Sequence, residues 1–518
     1  IEGRLFTAGM PVAALMEKVA GLIAQWVQAR FSRQNYPQVG VLAGPGHNGG
    51  DALVVARELH LNGYQVKIYA PFSKLKELTS QHARYAASLG IPFVEDVAAL
   101  LECSVLIDGL FGFGLERPLT EDLAAAVEAI NRSSRPCVSI DLPSGIETDS
   151  GKVLGTAVRA THTLCLGLWK QAFFQDQALP YVGAAERIDF GIPAADIEAI
   201  LGRPPLVQRL TAAAALSRLP LPRSPIAHKY KVGHLLLIAG SRQYGGAALL
   251  AGLGAKGSGV GMLTLALPES LRNALHSQLP EALLIGCPET DSGAIARLPD
   301  EMDLAKYDAI ACGPGLSQAA AAAVDQVLAS EAPLLLDADG LNLLAAKGAT
   351  DRLRQRSAPT LLTPHPGEFK RLFPDLARQF STSGEAALAA ARQAGAVVIL
   401  KGARSAIASP QGQLWYLASS TPALARGGSG DVLTGLTGGL MAGLIAAAET
   451  GGLDHPVEDS AHKHVLDAAL AGAWWHAAAA QQAAVERTVL GVDPLTLSHY
   501  LAPTLARYID SLPGGSAS

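Results

Sequence analysis

The hydrophobic and polar positions follow two spacings along the chain, and their alternation predicts repeated strand–helix units. Residues 12–27 carry apolar side chains every three or four positions, as a helix does, while 39–43 is a short apolar run typical of a buried strand. A glycine-rich loop follows, a helix is expected over 52–61, and residues 66–70 form the next apolar run. This order predicts two parallel strands joined by a right-handed crossover.

The strand–helix alternation continues through the first half, which predicts a three-layer α/β/α domain of Rossmann type. Further strands are expected at 105–108, 137–141 and 163–166. The proline-rich segment 191–225 has weak periodicity and is expected to be a linker. We place the domains at 1–207 and 208–518.

A second alternation begins after this segment and predicts another α/β domain, with no fixed-period repeat relating the halves. A hairpin is expected over 406–417, around Pro410-Gln411-Gly412. The parallel strands are expected at 234–239, 260–267, 309–311, 334–337, 360–363 and 397–400.

Composition excludes several classes of protein. Of 518 residues, 49% are hydrophobic and 17% charged, which favours large cores over disorder. The net charge of -5 and the lack of a basic run argue against nucleic-acid binding. The apolar stretch 432–448 is expected to be a buried helix, with no membrane partner. The five cysteines contain no Cys-x-x-Cys pair, which predicts buried thiols in a reducing, cytoplasmic compartment.

Two glycine-rich loops each end in Gly-Asp and lead into an apolar helix. One runs from Gly44 to Asp51 and the other from Arg426 to Asp431. Backbone N–H groups at a helix N-terminus bind phosphate and other anions, and the helix dipole is expected to keep both carboxylates ionised. Two such loops, far apart in the chain, predict two active sites.

The first loop matches the glycine spacing of a dinucleotide fingerprint, but the rest of that fingerprint is missing. A Rossmann dehydrogenase needs an acidic residue at the end of the next strand to hold the ribose. That strand ends Tyr69-Ala70-Pro71, without a carboxylate. The sequence therefore argues against a dehydrogenase.

Polar side chains follow several strands of the first half, and the carboxyl ends of parallel strands share one edge of the sheet. Their oxygen atoms suit a hard monovalent or divalent cation. The alternative is that each aspartate merely caps the following helix or turn. The residues expected to converge are Asn48, Asp51, Asp108, Asp141 and Ser144.

The segments 46–51, 108–114 and 141–145 resemble the NAD(P)H-hydrate epimerase domain, over roughly residues 1–205. The resemblance implies K⁺ ligands at Asn48, Asp108 and Ser144. Asp141 is our candidate acid/base for inverting the hydroxyl-bearing ring carbon. His47 stands where that family usually has Asn. The residues implied to hold the hydrated nucleotide are His47, Asn48, Gly49, Gly50, Asp51, Gly112, Phe113, Gly114, Leu115, Glu116, Arg117, Pro118 and Asp141.

The second loop indicates phosphoryl transfer without a Walker motif, which the chain lacks. Asp431 is placed to deprotonate a hydroxyl beside a phosphate bound at Gly427–Gly430, and Mg²⁺ would bridge the nucleotide phosphates. The alternative is a tight turn with an aspartate N-cap. His365, between two prolines, is expected to contact a ligand, and Lys401 to bind phosphate or lie at the sheet edge. His462, His464 and His476 are expected to pack on a helix rather than to bind a metal.

The second half resembles the ribokinase-like superfamily and, within it, the ADP/ATP-dependent NAD(P)H-hydrate dehydratase, over roughly residues 211–510. The resemblance rests on His228-Lys229, Gly313-Pro-Gly, Asp337-Ala-Asp, the 363–368 segment, Lys401-Gly-Ala and Gly-Gly-Ser-Gly-Asp. Tyr230 replaces a glycine that is frequent in that family. Adenylate contacts are implied at Lys401, Gly402, Ala403, Arg404, Ser405 and Gly430, and hydrate contacts at Ala248 (or its neighbour Ala247), Gly315, His365 and Asp431.

Together the two resemblances imply a bifunctional enzyme that repairs hydrated NADH and NADPH. The first half would interconvert the R and S hydrates, and the second would use ADP or ATP to dehydrate the S hydrate, with similarity to bacterial two-domain enzymes favouring ADP. A homo-oligomer is expected. The alternatives are a small-alcohol or vitamin kinase in the second half and a nucleotide-binding or scaffold module in the first.

Overall fold

The computed structural model describes residues 1–449 and 457–511. The chain divides into two compact units, Ile1–Pro205 and Leu206–Ser518. Each unit has its own sheet and its own hydrophobic core.

The N-terminal unit is built on a seven-stranded parallel sheet of order β3-β2-β1-β4-β5-β6-β7. The strands are β1 Gln38–Ala43, β2 Gln65–Tyr69, β3 Phe93–Val94, β4 Val105–Gly109, β5 Cys137–Ile140, β6 His162–Leu166 and β7 Ala184–Ile188. The helices are α1 Glu2–Thr7, α2 Val12–Arg30, α3 His47–Leu61, α4 Glu77–Ser88, α5 Glu121–Arg132, α6 Leu179–Val182 and α7 Ala194–Leu201.

Strand β1 shows why this unit has three layers. The strand is buried on both faces, so apolar residues occupy successive positions rather than alternate ones. Val39 and Val41 belong to one core cluster, with α2 and α3, and Leu42 belongs to another, with α5. The predicted α/β/α sandwich is therefore confirmed.

The C-terminal unit has a ten-stranded sheet of order β11-β10-β9-β12-β13-β14-β15-β16-β17-β8. The strands are β8 Val207–Leu210, β9 His234–Ile238, β10 Met262–Pro268, β11 Leu283–Cys287, β12 Ala309–Cys312, β13 Leu334–Leu336, β14 Thr360–Leu362, β15 Val397–Leu400, β16 Ala406–Ala408 and β17 Leu414–Leu417. The helices are α8 Ala212–Leu216, α9 Gly245–Ser258, α10 Arg272–His276, α11 Ala321–Leu328, α12 Ala338–Ala346, α13 Ala349–Arg354, α14 Pro366–Leu372, α15 Pro374–Gln379, α16 Ser383–Ala394, α17 Ser429–Glu449, α18 Val457–Arg487 and α19 Pro494–Asp510.

The predicted hairpin and most predicted strands are present, but the predicted linker is partly wrong. β16 and β17 pair antiparallel, as expected for 406–417. Within 191–225, however, residues 207–210 form strand β8, which pairs in parallel with β17 at the sheet edge. β8 was not predicted because it is an edge strand with partly exposed polar residues. It therefore lacks the continuous apolar run that indicates the inner strands.

Helices α9 and α17 pack with their backbones in contact. A Cβ added to Gly254 would lie 2.2 Å from the Val432 carbonyl oxygen, and one added to Gly435 would lie 1.7 Å from the Ala251 carbonyl oxygen. The Ser429–Ala448 stretch of α17 is long and apolar enough to cross a membrane, and 83% of its most apolar window is buried in the unit. The expectation of a buried helix here is confirmed.

Candidate functional site

In the N-terminal unit, the first glycine-rich loop is shorter than predicted, because α3 begins at His47 rather than at Ala52. Residues 47–51 therefore form its first turns. A Cβ added to Gly44 would lie 1.7 Å from the Leu110 carbonyl oxygen, so this close approach of two strand ends requires glycine. The start of α3 also lies against the end of β4, since a Cβ added to Gly109 would lie 2.4 Å from Ala52 Cβ.

Asp108 ends β4 and is fully buried in a network of hydrogen bonds. Its Oδ1 accepts from the Ser144 hydroxyl at 2.6 Å, and its Oδ2 accepts from Ser139 Oγ at 2.7 Å and from the Ser144 N–H at 2.9 Å. Burial raises the pKa of Asp108, while these hydrogen bonds act in the opposite direction. The structure thus joins two of the three residues expected to hold a cation.

Asp141 follows β5 with a left-handed backbone, φ +67°. Few residues other than glycine adopt this conformation, and Asp and Asn are among those that tolerate it. The conformation directs the carboxylate toward two loops, where Oδ2 accepts from the Phe113 N–H at 3.1 Å and Oδ1 from the Leu166 N–H at 3.2 Å.

Lys170 is a site residue that the sequence reasoning missed. Its ammonium contacts Asp141 Oδ1 and donates to the Leu166 carbonyl at 2.7 Å. Burial opposes the charged form of Lys170, but the carboxylate of Asp141 raises its pKa overall. Lys170 follows a buried strand by four residues, and Lys401 directly follows another. A lysine close after a buried strand could therefore have indicated both positions, but it was considered only for Lys401.

Asn48 joins the same group of residues. A Cβ added to Gly112 would lie 3.1 Å from both Asn48 Oδ1 and Asp141 Oδ2, so these two side chains meet at Gly112. The Asn48 amide nitrogen is buried and has no hydrogen-bond partner among the residues that the structure describes. The expected convergence of the polar strand ends is therefore present in the structure.

A cavity of about 820 Å³ opens above these residues. Asp108 and Ser144 are buried beneath it, and Gly49 and Gly50 pack inside α3. The exposed ring of Phe113 lies in its wall. Among the residues lining it are Glu2, Lys76 and Lys170, and, from the predicted set, His47, Asn48, Asp51, Gly112, Phe113, Gly114, Leu115, Glu116, Arg117 and Asp141.

The environment of Asp51 differs from the one that the sequence predicts, because it favours the protonated carboxyl. Asp51 is 9% exposed, in the second turn of α3 rather than at its tip. Burial raises its pKa well above the ordinary aspartate value, and the nearby charges of Asp141 and Glu2 raise it further. Desolvation here outweighs the helix dipole, which acts mainly within the first turn.

In the C-terminal unit, α17 begins at Ser429, inside the predicted loop, and Asp431 is its third residue. Burial raises the pKa of Asp431 to about 7, the Asp337 carboxylate also raises it, and the Lys401 ammonium lowers it. The helix dipole therefore does not keep this carboxylate fully ionised at neutral pH, contrary to the sequence expectation. A pKa near 7 suits a general base.

Asp337, directly after β13, forms the centre of a buried polar network. Its Oδ1 pairs with Lys401 Nζ at 2.8 Å, and its Oδ2 accepts from Thr434 Oγ1 of α17 at 2.7 Å. Burial opposes its ionisation, but the Lys401 ammonium and the hydrogen bonds lower the pKa of Asp337 overall. Lys401, which follows β15, thus binds a carboxylate in this structure.

The predicted nucleotide loop 402–405 follows Lys401 and lies largely exposed. A Cβ added to Gly430 would lie 3.6 Å from Lys401 Nζ, so the Lys401 side chain meets the second glycine-rich loop. The predicted adenylate contacts Lys401 and Gly430 are thereby neighbours.

His365 has a structural role that the sequence reasoning did not anticipate. It is the N-cap of α14, where its Nδ1 accepts from the Gly367 N–H at 2.9 Å. Glu368 completes the capping box by accepting from the His365 N–H at 2.8 Å. The imidazole is still 52% exposed, although its Nε2 lies 3.4 Å from Glu368 Oε1.

Ala248 and Gly315 lie on neighbouring elements. Ala248 is fully buried against Gly240, whereas Ala247 is partly exposed and next to Gly315. Of the two alanines, Ala247 is the better placed for a ligand contact.

The histidines of α18 pack inside the unit. His464 and His476 are buried, and His476 Nε2 lies 2.9 Å from the Ser429 carbonyl oxygen. Within residues 1–449 and 457–511, no group of three or more His, Cys, Asp or Glu side chains is arranged to hold a metal ion.

Each unit matches a known protein family. Residues 12–172 match the family described as YjeF-related protein N-terminus, and residues 235–503 match the family described as NAD(P)H-hydrate dehydratase. A crystal structure of the ADP/ATP-dependent NAD(P)H-hydrate dehydratase from Bacillus subtilis, co-crystallised with ATP/Mg²⁺, is 34% identical to this chain. It covers 58% of this chain and 99% of its own, with a TM-score of 0.47.

Curated relatives match along nearly the full length. The bifunctional NAD(P)H-hydrate repair enzyme Nnr of Thermosynechococcus vestitus is 52% identical, over 98% of this chain and 96% of that protein. The enzyme of the same name from Synechocystis is 51% identical, over 98% and 94%. The chain therefore belongs to the family of bifunctional NAD(P)H-hydrate repair enzymes.

Proposed function

We propose that this protein restores hydrated NADH and NADPH to the active cofactors. The N-terminal unit interconverts the R and S hydrates, and the C-terminal unit dehydrates the S hydrate with ADP, releasing AMP and phosphate. The observation that carries the proposal is the full-length match to bifunctional repair enzymes, and it is supported by a carboxylate placed for proton transfer in each unit, Asp141 in the first and Asp431 in the second. Coupling is chemically useful because one unit supplies the epimer that the other consumes.

In the N-terminal unit, Asp141 moves the proton needed to invert the ring carbon, and Lys170 positions its carboxylate. The contact between Lys170 and Asp141 at the cavity floor supports this assignment. The segments 47–51 and 112–118 hold the nucleotide, with the N–H groups at the start of α3 available to its phosphates.

The ligands proposed for K⁺ are Asn48, Asp108 and Ser144. They offer oxygen donors with a single carboxylate, and Ser144 Oγ also lies 3.2 Å from the Phe111 carbonyl oxygen. A low-charge oxygen site fits a monovalent hard cation better than a divalent one. When bound, K⁺ would supply a fixed positive charge next to the cavity. The proton transfer itself is carried out by Asp141.

In the C-terminal unit, Asp431 removes the proton of the hydrate hydroxyl, which then takes the phosphoryl group at Gly427–Gly430. Loss of that phosphate, together with a proton from the adjacent ring carbon, forms the double bond and restores the reduced nicotinamide ring. The loop 401–405 and Gly430 contact the adenylate, while Gly315, His365 and Asp431 contact the hydrate, with Ala247 or Ala248. Mg²⁺, when bound with the nucleotide, neutralises the phosphate charges.

The test uses a mixture of both hydrates with ADP, Mg²⁺ and K⁺. We expect the absorbance of reduced nicotinamide to recover fully, with AMP and phosphate formed in equal amounts. Asp431→Asn is expected to stop recovery while the epimers still interconvert. Asp141→Asn, which the left-handed backbone tolerates, is expected to limit recovery to the S hydrate plus spontaneous epimerisation. A stable phosphorylated alcohol without recovery would instead show a kinase.

We also propose a cytoplasmic location, supported by five unpaired, buried cysteines. A homo-oligomer remains a prediction, which light scattering of the purified chain tests.

A further inference from the structure

Neighbouring strands of the C-terminal sheet end in polar side chains that contact one another. Asp337 follows β13 and Lys401 follows β15, and their side chains meet at 2.8 Å above Thr363, which follows the strand between them. Asp337 is 2% exposed and Thr363 is fully buried, so the pair lies at the base of the site. A buried carboxylate needs such a partner, because an unpaired one is costly.

The pair is fixed against the second glycine-rich loop from both sides. A Cβ added to Gly430 would lie 3.6 Å from Lys401 Nζ and 3.7 Å from Asp337 Oδ2. Thr434, one turn after Asp431 in α17, donates to Asp337 Oδ2 at 2.7 Å. One oxygen of Asp337 therefore holds the helix that carries Asp431, and the other holds the ammonium.

This inference deepens the proposed function of the C-terminal unit and rests on it. We propose that Asp337 is a positioning residue that holds the Lys401 ammonium against the Gly427–Gly430 loop, where the ammonium stabilises the transferred phosphate. Burial raises the pKa of Asp431 most, and the same two charges move that pKa in opposite directions. Lys401 accordingly acts on the phosphate and on the base, in addition to contacting adenylate.

Asp337 and Lys401 have opposite effects on the pKa of Asp431. Asp337 and Asp339 raise the pKa of Asp431, whereas Lys401 lowers it. Two further titratable groups approach the network from other elements. Glu368 of α14 lies 4.0 Å from Lys401 Nζ, and the fully buried His476 of α18 has its pKa lowered to about 4 by burial, so it is neutral near pH 7.

The experiment measures kcat/KM for the S hydrate against pH, because this quantity reports ionisation of the free enzyme. At low pH, kcat/KM falls as Asp431 becomes protonated, and this part of the profile is the acid limb. Asp337→Asn removes a negative charge near Asp431, so the acid limb is expected to move toward lower pH by about one pH unit, the scale of a single close charge. Lys401→Met removes the cation and is expected to move the limb to higher pH. Both variants are expected to lose at least about tenfold in kcat, since the phosphate loses its positioned cation.

Two comparisons keep the test decisive. Asp325→Asn breaks a surface ion pair with Lys347 in the same unit and is expected to leave the profile unchanged. If Lys401→Met does not fold because it strands the buried Asp337, the double variant Asp337→Asn/Lys401→Met removes both charges. It is expected to return the acid limb toward its wild-type position without restoring kcat.

A loss of kcat with an unshifted acid limb in Asp337→Asn would overturn the proposal and leave a purely structural pair, as would a double variant whose acid limb stays as far from the wild-type position as that of a single variant. Failure of the proposed function is a different result, since the unmodified protein would then show no ADP-dependent recovery at all.

Discussion

The Lys170 ammonium and the Asp141 carboxylate form an ion pair at the floor of the N-terminal cavity, and the Leu166 carbonyl fixes the same ammonium at 2.7 Å. Both side chains line the same cavity, so the ammonium and the carboxylate are available to one ligand.

Lys170→Met is expected to lower the rate of epimer interconversion by up to about 10² to 10⁴, the usual contribution of an acid–base group, because Asp141 loses the ammonium that positions its carboxylate. Chromatography of R and S hydrates with time measures it, while ADP-dependent dehydration of the S hydrate should persist. Lys67→Met, which breaks a surface ion pair with Glu102, is the control. An unchanged epimerisation rate in Lys170→Met would remove Lys170 from the site.

Gly44→Ala is expected to destabilise the N-terminal unit by at least about 2 kcal/mol, because its Cβ would overlap the Leu110 carbonyl oxygen. Gly46→Ala, two residues later, meets nothing within 4 Å and is expected to be nearly neutral for stability. Urea unfolding of both variants gives the comparison. Equal effects would mean that the loop does not require this close approach.

Asp51→Asn is expected to change how stability depends on pH. Asp51 keeps its proton to higher pH in the folded protein than in the unfolded chain. The wild type is therefore most stabilised below the ordinary aspartate pKa and loses this contribution as pH rises through the raised folded pKa. A folded pKa that lies one pH unit above the unfolded pKa corresponds to about 1.4 kcal/mol of folding free energy.

The variant should accordingly be more stable than the wild type at alkaline pH, with a flatter pH profile of thermal unfolding. Glu95→Gln, at an exposed position, should keep the wild-type profile. A wild-type-like slope in Asp51→Asn would show that Asp51 is ionised in the folded protein.

Potassium is expected to raise the unfolding temperature of the N-terminal unit, because a ligand that binds only the folded state stabilises it by mass action. Lithium chloride at equal ionic strength should have a smaller effect, since its ion is too small for a site built of three side chains. In Ser144→Ala the potassium increment should largely vanish. An equal response to both salts would argue against a potassium site.

The positions of most inner strands could be predicted from sequence because buried parallel strands give continuous apolar runs, as at 39–43 and 397–400. The polar ends of those strands predicted the two sites. Helix starts were less predictable, since glycines such as Gly49 and Gly430 indicate a loop although they lie inside helices.

Electrostatics could not be predicted from the motifs. The position of Asp51 near a helix start predicted an ionised carboxylate, but its pKa depends on burial and on Asp141, which is distant in sequence. Lys170 was missed for the same reason, because its importance comes from contact with Asp141 rather than from a local pattern.

The close packing of α9 and α17 has a consequence for reading variants of this family. Gly254 and Gly435 have no chemistry of their own, yet they set the height at which α17 presents Asp431 over the sheet. A larger side chain at either position must push the helices apart and move Asp431 and Gly430, which both lie on α17, away from Asp337 and Lys401 at the strand ends. A substitution at Gly254 or Gly435 would ordinarily be interpreted as a loss of stability. It is therefore also expected to lower catalytic turnover in a protein that still folds.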